Sequence, residues 1–371
     1  MTKKKIAIVV NNSMYAWKMR SNLGFAFQKE GYEVVFICPY DKYSENIKKH
    51  FKYYDIKLNT KGTNPIEDVL TIYNYYKIYK QIKADIVLQY TIKPNIYGTI
   101  AASMLNIPIV NNIAGLGTLF IKQSIVTKIA KLLYRFSQEK ANKIFFQNQD
   151  DFELFAKEAL VERDKCDILP GSGVDIEKFI PLEKKYDDGR FRFLFIGRML
   201  RDKGVLEYIE AARIIKQRYS NVDFGLLGEI GVFNITAISY DEIKKWIDDG
   251  IVTYLGTSDD VGEEISKVDC IVLPSYREGT PRTLLEAASM AKPIVTTDVP
   301  GCRNVVDDGV NGYLCEVKNA YDLAVKMEMM LNLTNEQRKS MGNAGREKVV
   351  RYFDENIVIN KYLEAIKGIL K

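Results

Sequence analysis

Short runs of β-branched and aliphatic residues, each followed by a longer amphipathic stretch, recur along this chain and restart once near its middle. No other feature narrows the available folds as much. In the first half, residues 6–10, 34–38, 86–89, 107–111 and 143–147 read as strands, and 20–30, 66–82, 96–105 and 124–140 as helices between them. In the second half, strands are expected at 191–196, 223–227, 252–255, 270–273 and 294–297. Helices at 205–219, 241–248, 283–290, 321–330 and 335–350 alternate with or follow them. Such a rhythm describes a parallel sheet covered by helices, an α/β fold. The chain has 371 residues, more than a single core of roughly 250–300 residues holds. Pro170-Gly171-Ser172-Gly173 and the charged stretch 183–190 mark the break. The expectation is two Rossmann-like domains facing across a cleft, at 1–172 and 173–352, with ligands beyond the carboxyl ends of the strands. In the tail, 353–371, Ile357, Tyr362, Leu363, Ile366 and Leu370 keep helical spacing. It predicts a terminal helix packed near or back onto the N-terminal domain.

Composition removes other classes. The five cysteines, Cys38, Cys166, Cys270, Cys302 and Cys315, are scattered and never in CxxC spacing, which fits a reducing cytosol and gives no zinc framework. The apolar run at 6–10 is five residues long before Asn11-Asn12, too short for a signal peptide's apolar region of roughly 7–15 residues. No stretch approaches the ~18–20 apolar residues of a spanning helix. The net charge of +5 is modest, but it divides unevenly. Residues 1–150 hold 22 basic and 10 acidic side chains, and the remainder 31 and 38. A basic N-terminal half points to phosphates or an anionic surface.

The chemistry concentrates between Asp269 and Gly312. An expected strand at 270–273 leads through Pro274 into Ser275-Tyr276-Arg277-Glu278-Gly279, and Thr280-Pro281 opens a helix. Thr280 suits the N-cap and Pro281 the first helical position, so backbone N–H groups from Gly279 onward form an anion site. Glu286 lies farther along the helix among Leu284, Leu285, Ala287 and Ala288. It is either a carboxylate on a solvent face or a buried one that needs a partner, such as ribose hydroxyls. Upstream, Gly197-Arg198 ends a strand and Lys203-Gly204 opens a helix. Gly197 permits close backbone approach, while Arg198 and Lys203 pair a planar fork with a point charge, which suits a diphosphate. Neither a Walker loop nor a complete GxGxxG is present.

Together these residues resemble the family 4 glycosyltransferases of GT-B fold, in the branch that builds capsule and other bacterial surface polysaccharides. Glu278 and Glu286 match that family's EX7E motif inside a longer agreeing string from Pro274 to Arg282 and from Val299 to Cys302. Gly197-Arg198 with Lys203-Gly204 matches its phosphate-binding pair, and Gly173-Val174-Asp175 with Phe179 its interdomain stretch. Thr91-Ile92-Lys93-Pro94-Asn95-Ile96-Tyr97-Gly98, Gly115-Leu116-Gly117 and Phe146-Gln147-Asn148 resemble the branch's N-terminal motifs. The resemblance implies a retaining, metal-independent enzyme with no cofactor that uses a UDP-sugar. Arg198 and Lys203 would hold the donor diphosphate, Glu286 the ribose and Glu278 the transferred sugar. Gly197 and the backbone at Gly279, Thr280 and Pro281 would complete the donor site. Glu278, Arg198 and Lys203 would be the catalytic residues. On the acceptor side Asn12, Ser13, Lys93, Asn112, Gly115 and Gly117 are the candidates. One departure is that Ala114 stands where many members carry a sugar-facing histidine, a role that falls to backbone or to a neighbour such as Asn112.

The basic half implies a partner. From Ile121 to Lys143 the chain carries Lys122, Lys128, Lys131, Arg135 and Lys140 against Glu139 alone. Ile125, Ile129, Leu132, Leu133 and Phe136 form an apolar stripe at helical spacing. The stripe faces the core with a solvated basic face outside, or the helix lies in an anionic membrane interface, or both hold at once. The resemblance implies an undecaprenyl-diphosphate-linked saccharide as acceptor and peripheral attachment to the inner, cytoplasmic face of the plasma membrane. Two alternatives remain: a UDP-sugar epimerase of the same fold, disfavoured by the single histidine, His50, and a basic nucleic-acid-binding protein. No nucleic-acid motif appears, so no such partner is expected.

Overall fold

The computed structural model describes residues 3–58, 64–115, 125–183, 188–232 and 234–371. The chain divides into one unit of residues 1–172 with 358–371 and another of 173–357.

The first unit is built on strands β1 (Lys5–Val9), β2 (Glu33–Cys38), β3 (Lys52–Asp55), β4 (Ile86–Tyr90), β5 (Ile109–Ile113), β6 (Lys143–Phe146) and β7 (Cys166–Ile168). They form a parallel sheet in the order β3-β2-β1-β4-β5-β6-β7. The helices are α1 (Ser13–Lys29), α2 (Ser44–Lys48), α3 (Pro65–Ile82), α4 (Thr99–Ser103), α5 (Ile125–Gln138) and α6 (Gln149–Lys157). One apolar core joins one face of the sheet to Tyr75 and Tyr79 of α3, Ala101 of α4, Tyr134 of α5 and Phe155 of α6. The other joins the opposite face to Leu23 and Phe27 of α1 and Ile47 of α2.

The second unit holds β8 (Phe191–Ile196), β9 (Val222–Leu227), β10 (Thr253–Tyr254), β11 (Cys270–Leu273), β12 (Ile294–Thr297) and β13 (Gly312–Cys315). All pair in parallel, in the order β10-β9-β8-β11-β12-β13. Its helices are α7 (Val205–Lys216), α8 (Tyr240–Asp248), α9 (Val261–Ser266), α10 (Arg282–Ser289), α11 (Cys302–Val305), α12 (Ala320–Asn332) and α13 (Asn335–Tyr352). The last helix, α14 (Glu355–Ile369), begins in this unit and belongs mostly to the first. Its Val358, Tyr362 and Ile366 enter the second core of the first unit. There the Tyr362 ring meets Phe145 edge-on at 4.9 Å and its hydroxyl accepts from Asn112 Nδ2 at 2.9 Å.

Several expectations need correction. The first helix starts at Ser13 rather than near residue 20, because Asn12 caps it by accepting from the Tyr15 amide at 2.7 Å. The strand expected at 107–111 runs 109–113, since Pro108 has no N–H for the ladder. The short strands β3, β7 and β13 lack the alternation or length that pattern reading requires. The largest correction concerns α5. The buried side chains of this helix include Thr127, Ala130, Tyr134, Ser137 and Gln138, while Ile129, Leu132 and Phe136 of the apolar stripe are exposed. Leu133 packs partly against the core and the side chain of Ile125 lies outside the described residues, so most of the described stripe faces outward. Polar residues turn inward because Gln138 and Asn111 bond to each other at 2.8 Å inside the unit. Among the described residues no helix is long and apolar enough to cross a membrane.

Replacing Tyr362 by Phe would leave the Asn112 amide without its buried acceptor. The expected loss is about 1–3 kcal/mol, read as a lower urea midpoint at unchanged slope.

Candidate active site

Each sheet reverses direction once, between β1 and β4 in the first unit and between β8 and β11 in the second. Loops leaving the strands on either side of such a point diverge and open a crevice beyond the carboxyl ends. The expected donor residues gather at the switch point of the second unit. Gly197 and Arg198 follow β8, and Lys203 ends the 3-10 turn Arg201–Lys203 before α7. Glu278, Gly279, Thr280 and Pro281 lie in the loop after β11, and Glu286 is on α10.

Backbone packing presses these loops together. Gly204 has φ +75, and a Cβ there would lie 2.0 Å from the Pro274 carbonyl oxygen. Only glycine permits that approach. The Tyr276 amide donates to the Asp202 carbonyl at 2.9 Å, and Ser275 Oγ lies 3.2 Å from the same oxygen. In consequence Lys203 and Glu278, to which the resemblance gives separate ligands, form an ion pair with each other. Ser275 Oγ also donates to Glu278 Oε1 at 2.7 Å. Arg198 is exposed at the end of β8. Lys203 is thus already oriented by a carboxylate of the neighbouring loop.

Glu286 is not on a solvent face. It is 8% exposed, and Oε1 accepts from Arg282 Nε at 2.8 Å, one helical turn away. The sequence offers sugar hydroxyls as its partner, whereas the structure supplies Arg282. The helix also starts later than expected. Pro281 occupies the cap in extended backbone (φ −72, ψ 116) and α10 begins at Arg282. Proline's φ fits both positions, so sequence alone does not separate them. Thr280 is therefore not the N-cap; its hydroxyl bonds the Gly279 carbonyl at 3.0 Å. Nearby, Tyr276 Oη donates to Glu207 Oε1 at 2.7 Å. Burial, with the Glu207 charge, holds its phenol above the ordinary range. Behind the loop, burial and then the Glu278 charge push the Cys302 thiol up to about 12.

The acceptor-side candidates are engaged internally. Asn12 caps α1, and the Ser13 amide donates to Asp41 Oδ2 at 3.1 Å, so that helix end already holds a carboxylate. Lys93 pairs with Asp68 at 3.0 Å. Asn112, 1% exposed, donates to Tyr362 and accepts from Gln147 Nε2 at 3.4 Å. Its side chain anchors α14. Ala114 and Gly115 follow β5 and are half-buried, and Gly117 lies outside the described residues. Sequence reading missed Arg20, a buried guanidinium 4.2 Å over the Tyr90 ring that donates to Tyr15 Oη at 2.7 Å. It sits on a helix without any motif, and only its spacing on the buried face of α1 signals it. Among the described residues no group of three or more His, Cys, Asp or Glu could hold a metal ion.

Two family models match almost end to end. "Glycosyl transferase 4-like" covers residues 5–148 and "Glycosyl transferases group 1" covers 177–348. The chain belongs to the family 4 glycosyltransferases of the surface-polysaccharide branch. It is thus a transferase enzyme. This glycosyltransferase is 28% identical over 356 residues to the N,N'-diacetylbacillosaminyl-diphospho-undecaprenol alpha-1,3-N-acetylgalactosaminyltransferase of Campylobacter jejuni, covering 91% of this chain and 92% of that one. It is also 28% identical over 320 residues to the UDP-Gal:alpha-D-GlcNAc-diphosphoundecaprenol alpha-1,3-galactosyltransferase of Escherichia coli, covering 82% and 79%. A glycosyltransferase from Rickettsia africae superposes with a TM-score of 0.82 at 20% identity over 100% of both chains. HepE of Anabaena, solved with UDP-glucose, does so with 0.81 at 16% over 98% and 99%. The fold is GT-B, with two Rossmann-like α/β domains.

Gly204→Ala should lower stability by more than about 1 kcal/mol in denaturant unfolding, and nucleotide affinity with it, because the loops can no longer close. Cys302 should resist iodoacetamide at pH 8 in the native protein and react once unfolded in urea, as read by mass spectrometry.

Proposed function

We propose that this glycosyltransferase moves a hexose or N-acetylhexosamine from a UDP-sugar to a saccharide carried on polyprenyl diphosphate, with retention at the anomeric carbon and without a metal. The observation that carries this is the Lys203, Ser275 and Glu278 cluster at the switch point, with Arg198 exposed in the loop after β8. The acceptor hydroxyl oxygen bonds the anomeric carbon while the bond to the diphosphate oxygen breaks, and the departing UDP takes the electron pair and then the proton of the acceptor hydroxyl. Arg198 and Lys203 stabilise that charge, the kind of term that commonly dominates such rates. Glu286 binds the ribose, Glu278 the transferred sugar, and Gly197 with the 279–281 backbone completes the site. The first unit takes the acceptor, and its basic surface rests on the cytoplasmic face of the plasma membrane. Support for the lipid-linked acceptor comes from the Campylobacter and Escherichia relatives, whose names specify undecaprenyl-diphosphate sugars. Epimerisation is less favoured, since it needs acid–base groups and the one histidine is stacked on Trp17 in the first unit.

The test is a donor panel of UDP- and GDP-sugars with undecaprenyl-diphosphate-linked acceptors, with EDTA present throughout. UDP release with one UDP-sugar and an axial product linkage by NMR are expected. Lys203→Ala should lower kcat about 10²–10³-fold. No release from any donor, or an inverted linkage, would overturn the reading.

A further inference from the structure

The outward faces of α3 and α5 carry apolar side chains that a packed helix would turn inward. On α3, Thr71, Tyr75, Tyr79 and Ile82 fill the core. On the opposite side Ile66, Val69, Leu70 and Tyr73 repeat at i, i+3, i+4 and i+7, with Ile66 72% exposed. On α5, Ile129, Leu132 and Phe136 face outward, and Leu132 is 68% exposed. Both helices cover the same face of the sheet, as Tyr75 and Tyr134 in one core require. Both are crossovers between parallel strands and so run back from the carboxyl edge of the sheet. Ile66 to Tyr73 and Ile129 to Leu132 therefore lie in the halves of their helices nearer the edge where ligands of such sheets bind.

Charge decides the occupant. Lys128 and Arg135 lie one turn either side of Leu132 on the same exposed face, and Lys140 follows at the end of the helix, its Nζ 4.8 Å over the Phe136 ring. A second copy of the chain docked by two-fold symmetry would set these cations against themselves. An anionic bilayer attracts them while the apolar side chains enter the acyl boundary. We propose that the outward faces of α3 and α5 form one membrane-insertion surface that seats the first unit on an anionic bilayer, carboxyl edge toward the headgroups. This rests on the reading that the acceptor is lipid-linked, and it adds where and how the protein docks. Leu70 and Leu132 give the salt-insensitive part of binding, Lys128 and Arg135 the salt-sensitive part.

The test uses the full chain with sucrose-loaded vesicles of phosphatidylcholine, with or without about 30% phosphatidylglycerol, at about 0.1 M and about 0.5 M NaCl. The original protein should sediment with the anionic vesicles. The pair Leu70→Glu/Leu132→Glu should lower partition at least about 10-fold at both salts. Lys128→Glu/Arg135→Glu should do so by about 10-fold at low salt only. Circular dichroism and UDP release with a water-soluble acceptor analogue should be unchanged in both pairs. Failure to bind, or binding that neither pair alters, overturns the proposal. So does a dimer in sedimentation velocity that Leu70→Glu/Leu132→Glu splits. Transfer to a lipid-linked acceptor in detergent micelles separates the two readings. Transfer there without vesicle binding removes the docking surface alone, and vesicle binding lost in the variants without any transfer removes the acceptor reading alone.

Discussion

The candidate site depends on one close backbone approach, that of Gly204 to the carbonyl of Pro274. It fastens the loop after β8 to the loop after β11, and the ion pair of Lys203 with Glu278 follows from that distance. A third loop closes on the same place: Gly301, at φ +84 after β12, lies where a Cβ would sit 2.5 Å from the Gly279 carbonyl. Thr297 Oγ1 also bonds the Ser275 carbonyl from β12. Three strand ends are thus stacked by main chain, and the charged side chains take their geometry from it. A site held this way is oriented before any ligand arrives.

The first unit uses a different device. Gln89, Thr99, Asn111 and Gln138 form a fully buried polar chain, with Gln89 Nε2 on Thr99 Oγ1 at 2.9 Å and Gln138 Nε2 on the Asn95 carbonyl at 3.0 Å. Such networks are tolerated when their members are satisfied, and they favour one arrangement of the core over others. The π-helical turn Pro94–Gly98 is held against this chain, and a Cβ on Gly98 would overlap Gln89 Oε1. Thr91, at φ 69, enters the turn in a left-handed conformation that disfavours β-branched residues. The motif from Thr91 to Gly98 is thus largely an inside feature, and its one cation, Lys93, is matched by Asp68.

Period and punctuation made much of the fold legible. The strands around each switch point are nearly continuous apolar runs, and the rhythm restarts at Phe191 where the second sheet begins. The candidate site residues were legible because they cluster after strand ends. Their pairing was not, since Lys203 and Glu278 lie 75 residues apart and meet only through glycine packing. The facing of α5 was not legible, because its apolar stripe suits a core and a membrane interface alike, and the polar face that joins the Gln138 network carries no period. Asn112 is another residue whose partner is hidden in the sequence. A polar residue at a strand end invites a ligand role, and only the returning helix shows its partner to be Tyr362.

That return of α14 orders the birth of the molecule. The second core of the first unit lacks Val358, Tyr362 and Ile366 until α14 has been synthesised. The second unit, continuous from 173 to 357, holds its own core. The N-terminal sheet therefore keeps one face partly uncovered until the chain beyond the second unit has been made. The polypeptide that emerges first is the last to be finished.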